Sequence, residues 1–291
     1  MATLVRAGAR ARPSSHARLG GALRLGAAYL AVGLVGALFV FPFAWLVLTS
    51  LKGDQEIFAF PPTWYPHQVR WANYGDAISY IPFFHYLWNT VAICASAAIG
   101  TVLSCSLTAY AFARLRWPGR EAVFVLVLAT MMLPFQVTMI PLYVIFRALG
   151  WINTFAPLIV PAFFGNAFSI FLFRQFFLGI PFELTDAGRI DGCSEWRLYW
   201  NIVLPLSKSA VATVALLTIL NNWTDFLGPL IYLNDQAQWT LSLGLMQFLG
   251  QHSAAWGPLM AASVIFTLPL IVLFFFTQRA FVQGIATTGL K

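Results

Sequence analysis

The chain has 291 residues, of which 59% are hydrophobic and only 9% are charged. Soluble domains carry about 25% charged residues, so this composition excludes an ordinary water-soluble globule and predicts a protein surrounded mainly by lipid. The net charge of +7 does not indicate nucleic-acid binding, because the basic residues lie between apolar runs rather than on one periodic face.

The first 24 residues hold five arginines and no acidic residue. Both a transit peptide and a cytoplasmic tail in front of a helix have this composition. The apolar run that follows, at about 26–50, is too long for the core of a signal peptide and long enough to cross a bilayer. We therefore expect a cytoplasmic N-terminal tail over residues 1–25.

Six apolar runs each exceed the roughly 20 residues that a helix needs to cross about 30 Å of hydrocarbon. Backbone polar groups in lipid must be satisfied within each segment, so the runs predict an all-α membrane protein with six transmembrane helices. We expect one transmembrane domain over 26–280 and a cytoplasmic C-terminal tail over 281–291. The runs lie at about 26–50, 87–112, 122–146, 156–178, 208–232 and 258–280.

The distribution of lysine and arginine predicts the orientation of these helices. With the N-terminus inside, 14 basic residues fall on the inner side and 3 on the outer side. Cytoplasmic loops carry the excess of Lys and Arg, so both termini are expected in the cytoplasm. The inner set is Arg6, Arg10, Arg12, Arg18, Arg24, Arg114, Arg116, Arg120, Arg174, Arg189, Arg197, Lys208, Arg279 and Lys291; the outer set is Lys52, Arg70 and Arg147.

Two stretches of unusual composition lie next to each other in the chain. Residues 52–86, on the expected outer side, are rich in proline and aromatic residues, which predicts an ordered segment on the outer surface. The second apolar run is rich in small residues, which let helix backbones approach closely, so this helix is expected inside the bundle.

Residues 181–210, between the fourth and fifth runs, form the most polar stretch outside the N-terminal tail. Pro181 favours a helix start, Asp191-Gly192 favours a helix end, and Leu204-Pro205 should break a second short helix before the next span. The pattern predicts a helix-turn-helix exposed beneath the membrane, where another protein can dock. Its charged residues include Glu183, Asp186, Arg189, Asp191, Glu195 and Arg197.

This stretch resembles the coupling loop, or EAA loop, of permeases from ABC importers. The family pattern runs roughly Glu-Ala-Ala, two residues, Asp-Gly-Ala, and then a stretch that ends Ile-x-Leu-Pro. This chain has Asp186-Ala187-Gly188, then Asp191-Gly192-Cys193, and ends Ile202-Val203-Leu204-Pro205. The resemblance implies that residues 181–209 contact an ATPase, with roles for Glu183, Asp186, Ala187, Gly188, Asp191, Gly192, Leu204 and Pro205.

The stretch departs from the family pattern at Asp186, Gly188 and Cys193. Aspartate at 186 keeps the negative charge but has a shorter reach than glutamate. Gly188 is expected to weaken the short helix by roughly 1 kcal/mol relative to alanine.

Further motifs resemble the carbohydrate-importer branch of these permeases, of the maltose and glycerol-3-phosphate type. They occur in the family's order and cover about residues 40–291. They are Ala109-Tyr110-Ala111-Phe112-Ala113-Arg114, Trp117-Pro118-Gly119, Met132-Leu133-Pro134-x-Gln136, Pro141-Leu142-Tyr143, Leu149-Gly150-x-x-Asn153-Thr154, Asn222-Trp223-x-Asp225-Phe226 and Gln278-Arg279-x-Phe281-Val282-x-Gly284.

The resemblance implies an assembly in a bacterial or archaeal inner membrane. Its expected partners are a second, homologous permease subunit, two cytoplasmic ATPase subunits and an extracytoplasmic solute-binding protein, with a sugar or a polyol derivative as cargo. This chain has no Gly-rich Lys-Ser/Thr loop that cradles phosphate, so ATP and Mg are expected on the ATPase partners and no cofactor is expected here. The implied mechanism is alternating access, with this chain forming half of the translocation path.

Polar residues interrupt the fifth apolar run at Asn221, Asn222, Trp223 and Asp225. An Asp at the bilayer centre costs about 2.5–3.5 kcal/mol on insertion scales, so it should face a cavity or a partner. One interpretation is that this kink lines the translocation path, with Trp223 stacking on a sugar. The other is that the cluster caps a broken helix or bonds to a partner subunit. Weaker path candidates in earlier runs are Gln136 and Asn166.

Three other classes of protein fit the sequence less well. A secondary transporter needs internal repeats or ionisable groups near the midplane, and only Asp225 is a candidate. A membrane enzyme needs clustered catalytic or metal-binding side chains, and neither the histidines nor the cysteines have such spacing. A docking anchor without transport would explain the 181–209 stretch but not the polar interruptions in the spans.

Overall fold

The computed structural model describes residues 15–250 and 255–288. Within these ranges every extended regular element is a helix and no β-strand is present, which confirms the all-α prediction. The α-helices are α1 (Ser15–Ser50), α2 (Asp54–Ile57), α3 (Ala72–Tyr80), α4 (Phe83–Arg114), α5 (Arg120–Ala129), α6 (Phe135–Ala148), α7 (Ala156–Ile159), α8 (Ala167–Leu178), α9 (Phe182–Ile190), α10 (Glu195–Leu198), α11 (Leu204–Leu206), α12 (Lys208–Thr224), α13 (Leu227–Tyr232), α14 (Leu241–Gly244) and α15 (Trp256–Thr288). Short 3₁₀ turns at Thr130–Met132, Val160–Phe164, Gln236–Gln238 and Leu245–Phe248 and a π-helical turn at Tyr199–Val203 connect them.

Four helical segments of the described chain are long and apolar enough to cross a membrane, and the number rises to six if each of two bent pairs is one span. The four are 24–50, 83–114, 156–178 and 256–278. Four of the six expected runs therefore reappear as helices of membrane-spanning length, and the predicted count of six holds only if each bent pair forms one span.

The third expected span, at 122–146, is the first departure. Its two halves, 120–132 and 135–148, meet at an angle of 96°. The break lies at Leu133 and Pro134: proline disfavours the α conformation in the residue before it, and Leu133 accordingly adopts extended torsion angles. The apolar run over 122–146 is therefore a bent pair of helices and not one continuous helix.

The fifth expected span, at 208–232, is also interrupted. Helix α12 ends at Thr224, Asp225 is extended, and the chain resumes as α13. The helix is thus interrupted at the predicted polar cluster, but only at Asp225, the last residue of that cluster. A second bend, of 78°, separates 195–206 from 208–224 at Ser207, two residues after Pro205.

The ends of the helical region extend beyond the predicted domain limits. Helix α1 already begins at Ser15, so the second half of the expected tail over 1–25 is helical, while residues 1–14 lie outside the described residues. Helix α15 continues to Thr288 into the expected C-terminal tail, of which only 289–291 lie outside the described residues.

Helix α4 lies at the centre of the fold. Half of its most apolar window is buried, compared with at most 22% in the other three long segments, which confirms the interior position predicted from its small residues. A Cβ atom on Gly100 would lie 2.6 Å from the Phe163 ring, so that glycine permits the close approach of the neighbouring chain. One apolar cluster surrounds the end of α4 near Tyr110 and a second surrounds its start near Tyr86.

The segment at 52–86 is ordered, as predicted. Asn73, on α3, donates from Nδ2 to the carbonyl oxygens of Ser50 at 2.8 Å and Lys52 at 2.9 Å. Glu56, on α2, accepts hydrogen bonds from the Thr63 hydroxyl and the backbone N–H of His67. The Asn73 bond to Ser50 ties the segment to the end of α1, and the Glu56 bonds hold the segment together internally.

Candidate functional site

The 181–209 segment forms the predicted pair of short helices. Helix α9 starts directly after Pro181 and ends at Ile190, and Gly192 adopts a φ of 79°, a left-handed conformation that glycine tolerates at a helix end. Ser194 then caps α10 by accepting a hydrogen bond from the N–H of Arg197 at 3.4 Å. The predicted start and end of α9 are confirmed, whereas the second helical stretch continues through Leu204-Pro205 and ends at Leu206, so the predicted break at that pair is displaced to Ser207.

Gly188 has a packing role that the sequence did not reveal. It is buried, and a Cβ atom at this position would lie 2.5 Å from Cδ2 of Leu198, which is itself fully buried on α10. The loss of helix propensity at Gly188 is therefore offset by the close contact of α9 with α10. Alanine, the residue of the family pattern, does not fit here unless Leu198 moves.

An ionic network joins the two short helices to the central helix. Arg189 on α9 donates from Nε to Glu195 Oε1 at 2.7 Å and from Nη1 to Asp186 Oδ1 at 2.7 Å. The hydroxyl of Tyr110, near the end of α4, donates to Glu195 Oε2 at 2.6 Å. Glu195 thereby links α9, α10 and α4.

The electrostatics of this network keep both partners charged near neutral pH. The hydrogen bond from Arg189 lowers the pKa of Glu195 below its ordinary value, although partial burial opposes the shift. The same hydrogen bond raises the pKa of Arg189. Both side chains remain partly exposed to solvent.

Buried side chains also hold the second short helix against the bundle. Leu198 and Val203 are fully buried, and the Tyr199 hydroxyl lies 2.7 Å from the Ser106 hydroxyl on α4. Residues 182–203 thus form one packed unit on the end of the bundle.

The outer surface of this unit is apolar as well as acidic. Ile190 is 87% exposed, Trp196 58% and Leu184 45%. Of the coupling residues expected from the resemblance, Glu183, Asp186, Ala187, Asp191, Gly192 and Pro205 are exposed, Leu204 is half-buried and Gly188 is buried.

A cavity of about 590 Å³ opens between the bent third span and the break after α12. Of the translocation-path candidates, it brings together Asn222 and Asp225. Most of its wall is aromatic or aliphatic, including Phe135, Phe146, Trp151, Phe164 and Tyr232.

The two polar residues of the cavity also have local roles. Asp225 accepts a hydrogen bond at Oδ1 from the N–H of Gly228 at 3.1 Å, so it caps the start of α13. Asn222 donates from Nδ2 to the Thr218 carbonyl oxygen at 2.8 Å. The capping interpretation of this cluster is therefore correct at Asp225, and it coexists with a position on the cavity wall.

The remaining path candidates lie off the cavity wall. Trp223 is 5% exposed and its indole N–H donates to the Phe266 carbonyl oxygen at 3.1 Å, so it packs against α15 and does not offer a face to a sugar. Asn166 caps α8 by accepting from the N–H of Ser169 at 2.9 Å. Asn221 and Gln136 are exposed outside the cavity.

Sequence reasoning missed the parts of both sites that come from distant elements. Arg189 and Glu195 were identified from the sequence only as charged residues. They are six residues apart with a glycine turn between them, and this spacing is the local signal from which an ion pair could have been predicted. The partnership with Tyr110, 85 residues away, has no such signal. In the described residues no three His, Cys, Asp or Glu side chains come together as metal ligands.

Comparison with known proteins identifies relatives that match most of the chain. Residues 100–287 match the family model described as the binding-protein-dependent transport system inner membrane component. The chain is 34% identical to the arabinooligosaccharides transport system permease protein AraQ of Halalkalibacterium halodurans, over 87% of this chain and 91% of AraQ. It is 32% identical to the sn-glycerol-3-phosphate transport system permease protein UgpE of Rhizobium meliloti, over 91% of this chain and 96% of UgpE.

A solved structure supports the same fold. It is the crystal structure of a bacterial ABC transporter involved in the import of the acidic polysaccharide alginate. One of its chains matches with a TM-score of 0.78 and 20% identity, over 92% of this chain and 98% of that chain.

Proposed function

The chain belongs to the family of inner membrane components of binding-protein-dependent transport systems, and we propose that its 181–209 segment docks on an ATPase while its cavity lines the path of a sugar. It is a multi-pass permease subunit of an ABC importer, not an enzyme, and ATP hydrolysis takes place on partner subunits. The family also implies a solute-binding protein and a second permease; the pair of ATPases and the cytoplasmic position of both termini are part of the proposal.

The main support for docking is the exposed apolar surface of Leu184, Ile190 and Trp196 on a rigid polar unit. Exposed aromatic and aliphatic side chains next to charged residues are typical of protein interfaces. The unit follows α8 on the arginine-rich side of the chain, where the positive-inside rule puts the cytoplasm.

The ionic network suggests how movement of the docked unit reaches the spans. A force on α9 passes through Arg189 to Glu195, and from Glu195 to Tyr110 on the central helix α4. The unit therefore moves with α4 rather than independently of it. Docking drives transport only if the ATPase binds the two states of the permease with different energies.

The cavity supports a carbohydrate cargo. Aromatic faces and the Asn222 and Asp225 side chains suit the apolar faces and hydroxyl groups of a sugar. Asp225 is the only ionisable acid or base on the wall besides tyrosine, so the cavity favours an uncharged sugar over a phosphorylated one such as the cargo in the name of UgpE.

The first helix supports the second permease as a neighbour. Residues 24–43 of α1 are all exposed, and although the Phe41 ring lies 6.2 Å from the Trp64 ring, the described chain leaves most of this apolar stretch uncovered. Lipid and the partner permease are the surroundings that such a helix requires.

Co-purification tests the docking proposal. The Ile190→Asp, Trp196→Asp double variant should lose the ATPase subunits from the purified complex, because two buried charges are costly in an apolar interface. Trp71→Asp, at a residue that is 69% exposed on the expected outer side, should keep them. Retention of the ATPase by the double variant at normal expression contradicts the proposal.

A further inference from the structure

We propose that the cavity between the end of α4 and the start of α5 binds a phosphate group, supplied by the headgroup of an anionic phospholipid. This arginine cavity has a volume of about 510 Å³ and is lined by Arg114, Arg116, Trp117, Gly119 and Arg120, with Phe182 at its edge. The family comparison assigns no ligand to it, and the proposed coupling does not require one.

Arg114 gives this cavity a buried positive charge. Its side chain is 3% exposed, and it forms no ion pair with any residue that the structure describes. Nη2 donates to the carbonyl oxygens of Phe177 and Ile180, while Nε and Nη1 are buried without an acceptor in the described chain. A guanidinium group that is removed from water without a carboxylate in direct contact is costly, and an anion bound beside it reduces that cost further than the more distant Asp186 does.

Two further arginines surround the opening. Arg116 is exposed and has no carboxylate partner among the described side chains. Arg120 contacts Glu121 at 2.8 Å, and the same carboxylate also pairs with Arg174 at 2.9 Å. The one acid on the wall is thus already shared by two guanidinium groups, and the arginine cavity remains cationic overall.

The backbone adds a second source of positive potential. Helix α5 has ten residues, and its N-cap is Gly119, which has a φ of 81° and no side chain to cap the helix. The first-turn N–H groups of Glu121 and Ala122 find no acceptor in the described residues. Free N–H groups at a helix N-terminus bind phosphate through hydrogen bonds and the helix dipole.

The position favours a lipid as the source of the phosphate. The arginine cavity lies where one span ends and the next begins, on the side that holds the excess of arginine, so it is expected near the headgroups of the inner leaflet. Trp117, which lines it, is a residue type that concentrates at the membrane interface.

The same contacts connect this cavity to the short helices. The guanidinium of Arg114 stacks on the ring of Phe182, the first residue of α9, at 4.4 Å. A phosphate group in the arginine cavity would fix Arg114 and, through it, the start of α9. Membrane composition would then influence how firmly the 181–209 segment is held.

The experiment uses the assembled complex in nanodiscs of phosphatidylcholine alone or mixed with phosphatidylglycerol. Native mass spectrometry measures retained phosphatidylglycerol, and thermal unfolding measures stabilisation. Arg116→Gln should reduce retention roughly tenfold, as expected for the loss of one charge-assisted hydrogen bond. Arg24→Gln, at an exposed arginine of α1 on the same expected side, should retain the lipid.

Three outcomes would overturn the lipid proposal. The first is equal retention in Arg116→Gln and Arg24→Gln. The second is stabilisation in pure phosphatidylcholine by inorganic phosphate that matches the effect of phosphatidylglycerol, which would identify free phosphate as the ligand. The third is an absence of lipid dependence together with loss of the ATPase in Arg116→Gln, which would identify a carboxylate of the partner as the occupant.

Discussion

The 181–209 segment and the cavity at the α12–α13 break both interrupt regular helices, but they use polar residues in opposite ways. In the 181–209 segment, charged side chains bond one another across two short helices and reach α4 through Tyr110. In the cavity, Asn222 and Asp225 bond only to nearby backbone, and the wall around them is mainly apolar.

This contrast indicates two mechanical roles. A segment whose charges are paired internally moves as a unit, because bending it would break ion pairs. In the cavity, the polar groups of the wall bond to nearby backbone, so a solute can enter and leave without a rearrangement of the surrounding helices. We therefore expect substitutions in the 181–209 segment to uncouple the permease, and substitutions in the cavity to change transport while the ATPase remains bound.

The largest expected effect is at the contact of the two short helices. Gly188→Val should destabilise the packed unit by about 1–3 kcal/mol, because the new side chain overlaps Leu198. Amide hydrogen exchange over 182–190 should accelerate, and ATPase binding should fall with it. Ala187→Val, an exposed neighbour on the same helix, should leave exchange near the wild-type rate; equal exchange in both variants would show that the contact is not required.

Substitutions in the cavity should have a different effect from those in the 181–209 segment. Asp225→Ala removes the cap of α13 and should cost about 1 kcal/mol in the free energy of unfolding. Asp225→Asn retains an acceptor at the same position and should keep the stability, so any change in its sugar uptake reports on the carboxylate itself. If ATPase subunits dissociate from either variant, the separation between the two regions does not hold.

A smaller effect is expected at the ion pair. Arg189 and Glu195 are both about a third or more exposed, so solvent screening limits their coupling to about 1 kcal/mol or less. A double-mutant cycle with Arg189→Gln and Glu195→Gln measures this coupling from thermal unfolding. A coupling energy of zero would show that the pair orients the helices without stabilising them.

The smallest effect is on pH dependence. Because Arg189 lowers the pKa of Glu195 in the folded state, the pair contributes stability at pH values above the ordinary pKa of 4.5, and this contribution is lost as the pH falls through the lower folded value. The protection factors of the α9 amides, which correct the exchange rates for their intrinsic pH dependence, should therefore fall below that pH in the wild type. This additional fall should be absent in Glu195→Gln.

The sequence predicted those features that depend on local composition and spacing. The apolar runs, the interior position of α4 and the ends of α9 follow from hydropathy, small residues, Pro181 and Gly192. The 96° bend at Pro134 could not be settled from the sequence, because a proline in a membrane helix either kinks it or is tolerated as a packed bend.

Features that depend on tertiary contacts could not be predicted from the sequence. The need for glycine at position 188 comes from Leu198 on the next helix, and the role of Glu195 comes partly from Tyr110 on α4. Trp223 was one candidate for the path because of its residue type, but its orientation toward Phe266 depends on how α12 packs on α15.

Site-specific photo-cross-linking from Ile190 tests the central claim most directly, since this residue is 87% exposed on the 181–209 segment. In the assembled complex, a photoreactive residue at 190 should cross-link to the ATPase subunit, and the same residue at position 71 should not. A cross-link from 190 to lipid or to the solute-binding protein, with none to the ATPase, would contradict the account.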